Sequence, residues 1–256
     1  MIETSYHYNK KVVLAFDPVK HIYTMNGEKL KGVTTALQIL AKPALITWAA
    51  KMAADYIEQT LEAGIAYDEV QIKEFAKAAQ WAHRAKKDTA ADTGTMIHQW
   101  IQDYVEGKDP KMPVNEGMQQ AIKNFVEWWT KQDVKVLKAE QKLCSRKLKL
   151  AGTADLVCEL NGKLTVLDWK TGSGIYPEML LQMGAYAMMY QEEFKVPVRQ
   201  LGVVNCSVKS GFKGFLTNDV RKLTSIYKKV LQLVHDMDYV DEKLNNEELG
   251  SNRTQD

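Results

Sequence analysis

Cysteine is scarce. The 256 residues contain 3, at 144, 158 and 206, with no Cys-x-x-Cys spacing, so the chain cannot build a four-thiolate site alone and its thiols are expected to be free and mostly buried. Long apolar runs are missing as well: no stretch reaches about 18 apolar residues, and the opening MIETSYHYNKK has no apolar h-region. Neither membrane insertion nor export is predicted, and a cytoplasmic protein without a membrane partner is the expectation. There is no excess of one charge, since 34 Lys and Arg face 32 Asp and Glu for a net +2, which by itself advertises no polyanionic partner. No stretch is rich enough in Pro, Gly or Ser to serve as a linker.

What is present is 45% hydrophobic residues, enough for a proper core in one large α/β domain. Short strands are predicted over 12–16, 22–25 and, after the Asn26-Gly27 turn, 29–33. Thr34 or Thr35 would cap a short helix ending before Pro43, and further helices are expected over 45–63, 68–85, 89–107 and 115–132. Strands then take over from Val134, through 153–160 and 164–170, followed by a helix from Pro177 to Phe194, a strand over 201–208 and a long amphipathic helix over 219–244. The expected organisation is a single domain over 1–245, with a β-hairpin and helical cap in 1–90, an α/β core in 91–245, and a disordered tail over 246–256.

The chemistry concentrates in LAGTADLVCELNGKLTVLDWK, residues 150–170. Asn161-Gly162 is a strong signal for a two-residue type I′ turn between two β-branched, apolar runs. If Leu160 pairs with Lys163, paired residues sum to 323 and Asp155 stands opposite Asp168, about 5 Å away on one face. Lys170, two residues on, shares that face. The flanking Leu156, Val157, Leu160, Val166 and Leu167 are apolar at both parities, so these strands are expected to be covered on both sides. Two buried carboxylates there need a proton or a cation between them, and oxygen donors suit magnesium or manganese. An ordinary Asp-Lys ion pair at a sheet end is the plainer alternative; the second Asp in register argues against it.

Other residues are candidates to join. His98, in the helical TGTMIHQW, offers an imidazole nitrogen; Glu140, on the strand before the hairpin, offers a carboxylate. Gln182 and Tyr186 share one helix face and could bind phosphate oxygens or orient the lysine, though core packing is the ordinary role of such a tyrosine. Lys170-Thr171-Gly172 is not a phosphate-binding P-loop, because G-x-x-x-x-G-K is absent. Three basic clusters could line a phosphate track or simply be solvated: Lys135 to Lys149, Arg84 with Lys86 and Lys87, and Arg221 to Lys229.

Taken together, GTxxH at 94–98, Glu140, GTAD at 152–155, LDWKTG at 167–172 and QMGAY at 182–186 resemble the PD-(D/E)XK nuclease superfamily, and within it the RecB-like branch. HIYTMNGEKLKGVTTAL is a softer match to phage and bacterial members. The resemblance implies a restriction-endonuclease-like core, a mixed sheet flanked by helices, and magnesium- or manganese-dependent hydrolysis of single- or double-stranded DNA, most readily from an end in recombination, repair or replication. A structure-selective or restriction-like endonuclease, or an inactive DNA-binding module, are the alternatives. It assigns His98, Asp155, Asp168 and the Trp169 backbone carbonyl to the metal, Glu140 less firmly, and Lys170 to catalysis, with Gln182 and Tyr186 positioning the strand. A homo-oligomer or a single-strand-annealing partner is compatible with it, as is a bacterial or phage-infected cytoplasm. Branch members that carry an iron-sulfur cluster use four cysteines, which this chain lacks, so no cluster is expected.

Overall fold

The Asn161-Gly162 turn sets the register of the central hairpin. Both residues have positive φ, 49° and 76°, as a type I′ turn requires. They join β6 (Leu150–Leu160) to β7 (Lys163–Lys170), and the pairs run from Leu160↔Lys163 to Leu156↔Leu167, the register expected from the sequence. The computed structural model describes residues 1–251; at 85, 86, 88–90 and 246–251 it describes the backbone course alone.

Around that hairpin lies a nine-stranded mixed sheet. β1 (Glu3–His7), β2 (Val12–Asp17), β3 (Ile22–Met25) and β4 (Glu28–Gly32) form an antiparallel meander, which joins the core where β4 runs parallel to the start of β6. β5 (Val134–Ser145) lies antiparallel along β6, and β8 (Gln200–Ser207) lies parallel to β7 with β9 (Gly211–Thr217) outside it. α5 (Pro177–Phe194) and α6 (Val220–Ser251) cover one face, where Met183, Tyr186 and Tyr227 pack with Val157 and Val166. α3 (Glu69–Val105) and α4 (Glu116–Trp129) cover the other, where Ile97, Ile101 and Phe125 pack with Leu156, Leu167 and Trp169. Burial on both faces explains why β6 and β7 are apolar at both parities. The three cysteines are free and buried.

The meander is tied down by the end of α5. The Glu192 carboxylate accepts from Tyr8 Oη at 2.9 Å, Ser145 Oγ at 2.6 Å and the Arg146 amide at 3.0 Å. Glu193 accepts from His7 Nδ1 at 2.9 Å and the Tyr8 amide at 3.1 Å. Two adjacent acids thus satisfy the β1–β2 and β5–β6 turns together.

Several elements differ from expectation. Residues 69–105 form one 37-residue helix, α3, capped by an Asp68–Gln71 box, because neither Pro nor Gly intervenes before Gly94; the boundary expected at 90/91 falls inside it. Thr34 and Thr35 do not cap: the helix there is α1 (Val33–Ala36), with Gly32 at its N-cap and no side-chain cap bond. α2 begins at Pro43, suited to a first turn, and ends at Thr60. β1 and β9 were not foreseen, since their apolar residues lie on sheet-edge strands with little burial. α6 continues to Ser251, through residues expected to be disordered, while 252–256 lie outside the described residues.

Gly184 marks the α5–α6 crossing. A Cβ there would lie 2.9 Å from the Leu223 carbonyl carbon and 3.0 Å from the Thr224 amide nitrogen, both backbone atoms that cannot rotate away. Ala at an ordinary helix-interior glycine stabilises by about 1 kcal/mol. Gly184→Ala is expected to do the reverse, costing about 1–3 kcal/mol as the helices are forced apart. Urea unfolding checks the sign, and a stabilised variant would contradict the packing described.

Candidate metal centre

The two halves of β6 have different neighbours on one edge. β5 occupies the far edge from Leu150 to Leu160, so both β7 and β4 must pair on the near edge. β7 does so at 156–160 and β4 at 150–151. Between them the sheet forks. Beyond Leu167, β7 stays with β8, through Asp168↔Val203 and Lys170↔Asn205. Asp155 and Asp168 are therefore the first residues past the last β6–β7 pair, at the crotch of the fork.

A side chain replaces the missing ladder bond: the Trp169 amide donates to Asp155 Oδ2 at 2.9 Å. The same oxygen lies 3.1 Å from His98 Nε2, which α3 delivers from the opposite helical layer to that of α5. Trp169 packs beside His98 and is itself backed by Phe125, which holds that stretch of α3 in place. Glu140 completes the group from β5. It stands opposite Asp155, between the pairs Ala139↔Leu156 and Gln141↔Ala154, with φ of 47°, a left-handed conformation unusual for a non-glycine strand residue. Such a backbone costs roughly 1–3 kcal/mol. It sits where the carboxylate enters the cluster.

His98, Glu140 and Asp155 each offer a donor atom, all within 4.8 Å of one another. Asp168 lies beside this trio and faces Lys170, whose Nζ is 2.5 Å from Asp168 Oδ2. This carboxyl is only 1% exposed, and the ammonium is its close charge partner. Glu140, the less firmly assigned ligand, is thus inside the tight cluster, whereas Asp168 leans toward the lysine. Gln182 and Tyr186 do not join it. Both are buried on α5, the Gln182 amide donates to Tyr186 Oη at 2.8 Å, and Tyr186 packs in the core. Among the residues not foreseen is Asn205, fully buried beside Lys170 in register, which donates to the Gly172 carbonyl at 3.2 Å and keeps its own Oδ1 unsatisfied. Its signal was one amide in the otherwise apolar run LGVVNC.

The electrostatics fit a cation. Burial, with the Asp155 charge behind it, pushes the Asp168 carboxyl up to about 7, and the same causes push Glu140 up to about 7. Burial opposes the His98 imidazolium, but Asp155 outweighs it and leaves the pKa raised. Burial likewise opposes the Lys170 ammonium, and Asp168 with Asp155 more than compensates. Three acids against one lysine and one histidine leave surplus negative charge in a poorly solvated fork. Oxygen and imidazole donors with that surplus suit Mg²⁺ or Mn²⁺, held by His98, Glu140 and Asp155 with Asp168 adjacent. A cavity of about 1190 Å³ lies elsewhere, between the meander and the β5–β6 turn, and none of these residues lines it.

The family model described as the PD-(D/E)XK nuclease superfamily matches residues 71–251. No curated protein matches the chain. Among solved structures, the one titled "Crystal structure of SSO0001" is similar at 11% identity, over 74% of this chain and 86% of that one, with a TM-score of 0.32, a distant likeness from which nothing about this chain follows.

A carboxyl whose folded pKa is raised stabilises the fold below its unfolded pKa, and that contribution is lost as pH rises through the folded value. The raised Asp168, Glu140 and His98 all act in this direction. Metal-free protein is therefore expected to melt higher at pH 6 than at pH 8, with the difference shrinking in Asp168→Asn and in saturating Mn²⁺. Manganese affinity should fall as pH drops below about 7, with protons released on binding. Calorimetry in buffers of different ionisation enthalpy measures the release; binding without proton release would refute the raised carboxyls.

Proposed function

The chain belongs to the PD-(D/E)XK nuclease superfamily, and from that premise we propose that it is a divalent-metal-dependent deoxyribonuclease of the RecB-like kind that degrades DNA from an end. The observation that carries the reading is the convergence of His98, Glu140 and Asp155 within 4.8 Å beside the Asp168–Lys170 pair. A Mg²⁺ or Mn²⁺ held by His98, Glu140 and Asp155 would supply an acidified water and electrostatic stabilisation of the scissile phosphate. Everything else falls to the protein's own groups.

Asp155, fixed by the Trp169 amide and His98, holds its carboxylate in one orientation. Glu140 and Asp168, pushed up by burial and by the Asp155 charge in the metal-free fork, would give up their protons to a cation and become its oxygen ligands. Lys170 keeps its charge through Asp168 and stands as a compact cation for a phosphate oxygen in the transition state, while orienting the attacking water. The Trp169 carbonyl remains a further proposed ligand. Gln182 and Tyr186, bonded to each other behind Asp168, act by position instead of by touching substrate. Retention of Asp168 and Lys170 together argues against a decayed binding module.

End-dependence is supported by the α2–α3 pair at the mouth of the fork. α2 starts beside α5, where Lys42 pairs with Glu178 at 3.1 Å, and α3 passes the loop after β7 at Gly94. A role in phage or bacterial recombination, repair or replication rests on the motif resemblance alone.

Asp168→Asn and Lys170→Met are each expected to lower kcat on linear duplex DNA in Mg²⁺ by on the order of 10³ without loss of the fold. End-labelled linear and circular substrates provide the assay. Undiminished cleavage by Asp168→Asn would remove the metal model, and equal cleavage of circles would make the enzyme an endonuclease.

A further inference from the structure

His98 is the last member of a stripe. Lys73, Lys77, Gln80, Arg84, Lys87, Ala91, Gly94 and His98 recur at alternating spacings of four and three along α3. The 25 steps from Lys73 to His98 make almost seven whole turns at about 3.6 residues per turn, so all eight lie on one face. No acid occupies any of the eight positions. From Lys73 to Ala91 every one is exposed; Gly94 is buried and His98 half-buried. The opposite face, with Phe75, Ala79 and Ala82, is the covered one, and His83 beside it meets Trp48 of α2. Stripe and cover are therefore on different sides, and the basic side is open to solvent.

Where the stripe reaches the body of the protein it meets the fork. A Cβ at Gly94 would lie 2.5 Å from Thr171 Oγ1, so the helix passes directly over the loop that follows Lys170, and one turn later His98 touches Asp155. Outward from there, Lys87 lies about 16 Å from His98 along the axis and Lys77 about 31 Å, at about 1.5 Å per residue. With about 3.4 Å per nucleotide along one strand of a duplex, those are roughly five and nine nucleotides. Arg84 is held in place, its guanidinium 3.7 Å over the ring of the exposed Trp81. Lys73 is paired with Glu69, but among the described residues none of Lys77, Arg84 and Lys87 forms an ion pair. The side chain of Lys86, grouped with them on the sequence, lies outside the described ones.

We propose that this face of α3 is a phosphate rail: Lys77, Arg84 and Lys87 bind the sugar-phosphate backbone of the DNA about five to nine nucleotides from the bond cut at His98, and so hold the substrate in line with the fork. The inference rests on the nuclease reading above and adds where the uncut part of the substrate lies. Phosphate contacts of this kind position the substrate without reading sequence.

The test is the triple variant Lys77→Gln, Arg84→Gln, Lys87→Gln, compared with wild type and with a control of equal charge change on α6, Lys222→Gln, Lys228→Gln, Lys229→Gln. Each is assayed on 30-base-pair linear DNA in Mg²⁺ over a range of KCl, with circular dichroism to verify helicity. The rail predicts a KM at least about tenfold higher at unchanged kcat, and a salt dependence of log(kcat/KM) shallower by about 2 to 3, one unit or slightly less for each lost phosphate contact. The control should behave as wild type. If wild type cleaves and the α3 variant keeps its KM and salt slope, or the control loses as much, the rail is wrong and the nuclease reading stands. If wild type cleaves nothing with Mg²⁺ or Mn²⁺, the nuclease reading itself fails.

Discussion

The parting of β6 from β7 after Leu156 and Leu167 is the constraint on which the rest depends. Within a continuous sheet, side chains from the two faces cannot meet, because the hydrogen-bonded backbone lies between them. A fork removes that barrier over a few residues. Here it lets His98, from the layer of α3 and α4, reach the same carboxylate whose charge is felt by Tyr186 from the layer of α5 and α6. It also leaves backbone groups without ladder partners, and a buried amide without an acceptor is costly. Asp155 meets both demands, accepting from the Trp169 amide and facing His98 with the same oxygen. Its placement is a requirement of the sheet as much as of the chemistry.

The charge arrangement has the opposite character. Asp168 is 1% exposed and its charge partner is the Lys170 ammonium, and a buried ion pair of this kind is weak as a source of stability because both charges are taken out of water. Glu140 holds a left-handed backbone opposite Asp155. Strain and surplus acid coincide at one place, while the hairpin on either side obeys every local rule of turn type, register and burial. Local rules broken together at one point of an otherwise consistent fold are the mark of a site held ready for a ligand.

This contrast explains how much the sequence disclosed. Turn chemistry is local, so Asn161-Gly162 and the parity of the apolar residues announce the hairpin register, whereas the cross-strand pairing expected of Asp155 with Asp168 is not formed, because the ladder ends at Leu156↔Leu167 and the strands part there. His98 could be named from its motif, but its contact with Asp155 depends on where α3 crosses the sheet. A positive φ at Glu140 has no sequence signal, and the lean of Asp168 toward Lys170 is a matter of side-chain direction within a settled register. β1 and β9 escaped notice because edge strands bury little and carry weak alternation. The division of α3 into two helices was an error of the same origin: the polar, alanine-rich stretch at 85–93 lacks an apolar stripe, yet nothing in it stops a helix.

That polar stretch shows why α3 has no apolar period there. A helix needs an apolar stripe only where it packs, and beyond Gly94 it leans on α2 by one face alone, with Ala79 the buried contact. The remaining circumference is free to carry charge. Because the helix is unbroken, its exposed cations and His98 belong to one continuous helix, and the face that ends at the candidate metal centre is the face that carries Lys77, Arg84 and Lys87. A loop between residues 86 and 89 would have uncoupled the two. Continuity of backbone hydrogen bonding, not contact between side chains, is what relates the direction of approach along α3 to the position of the imidazole at the fork.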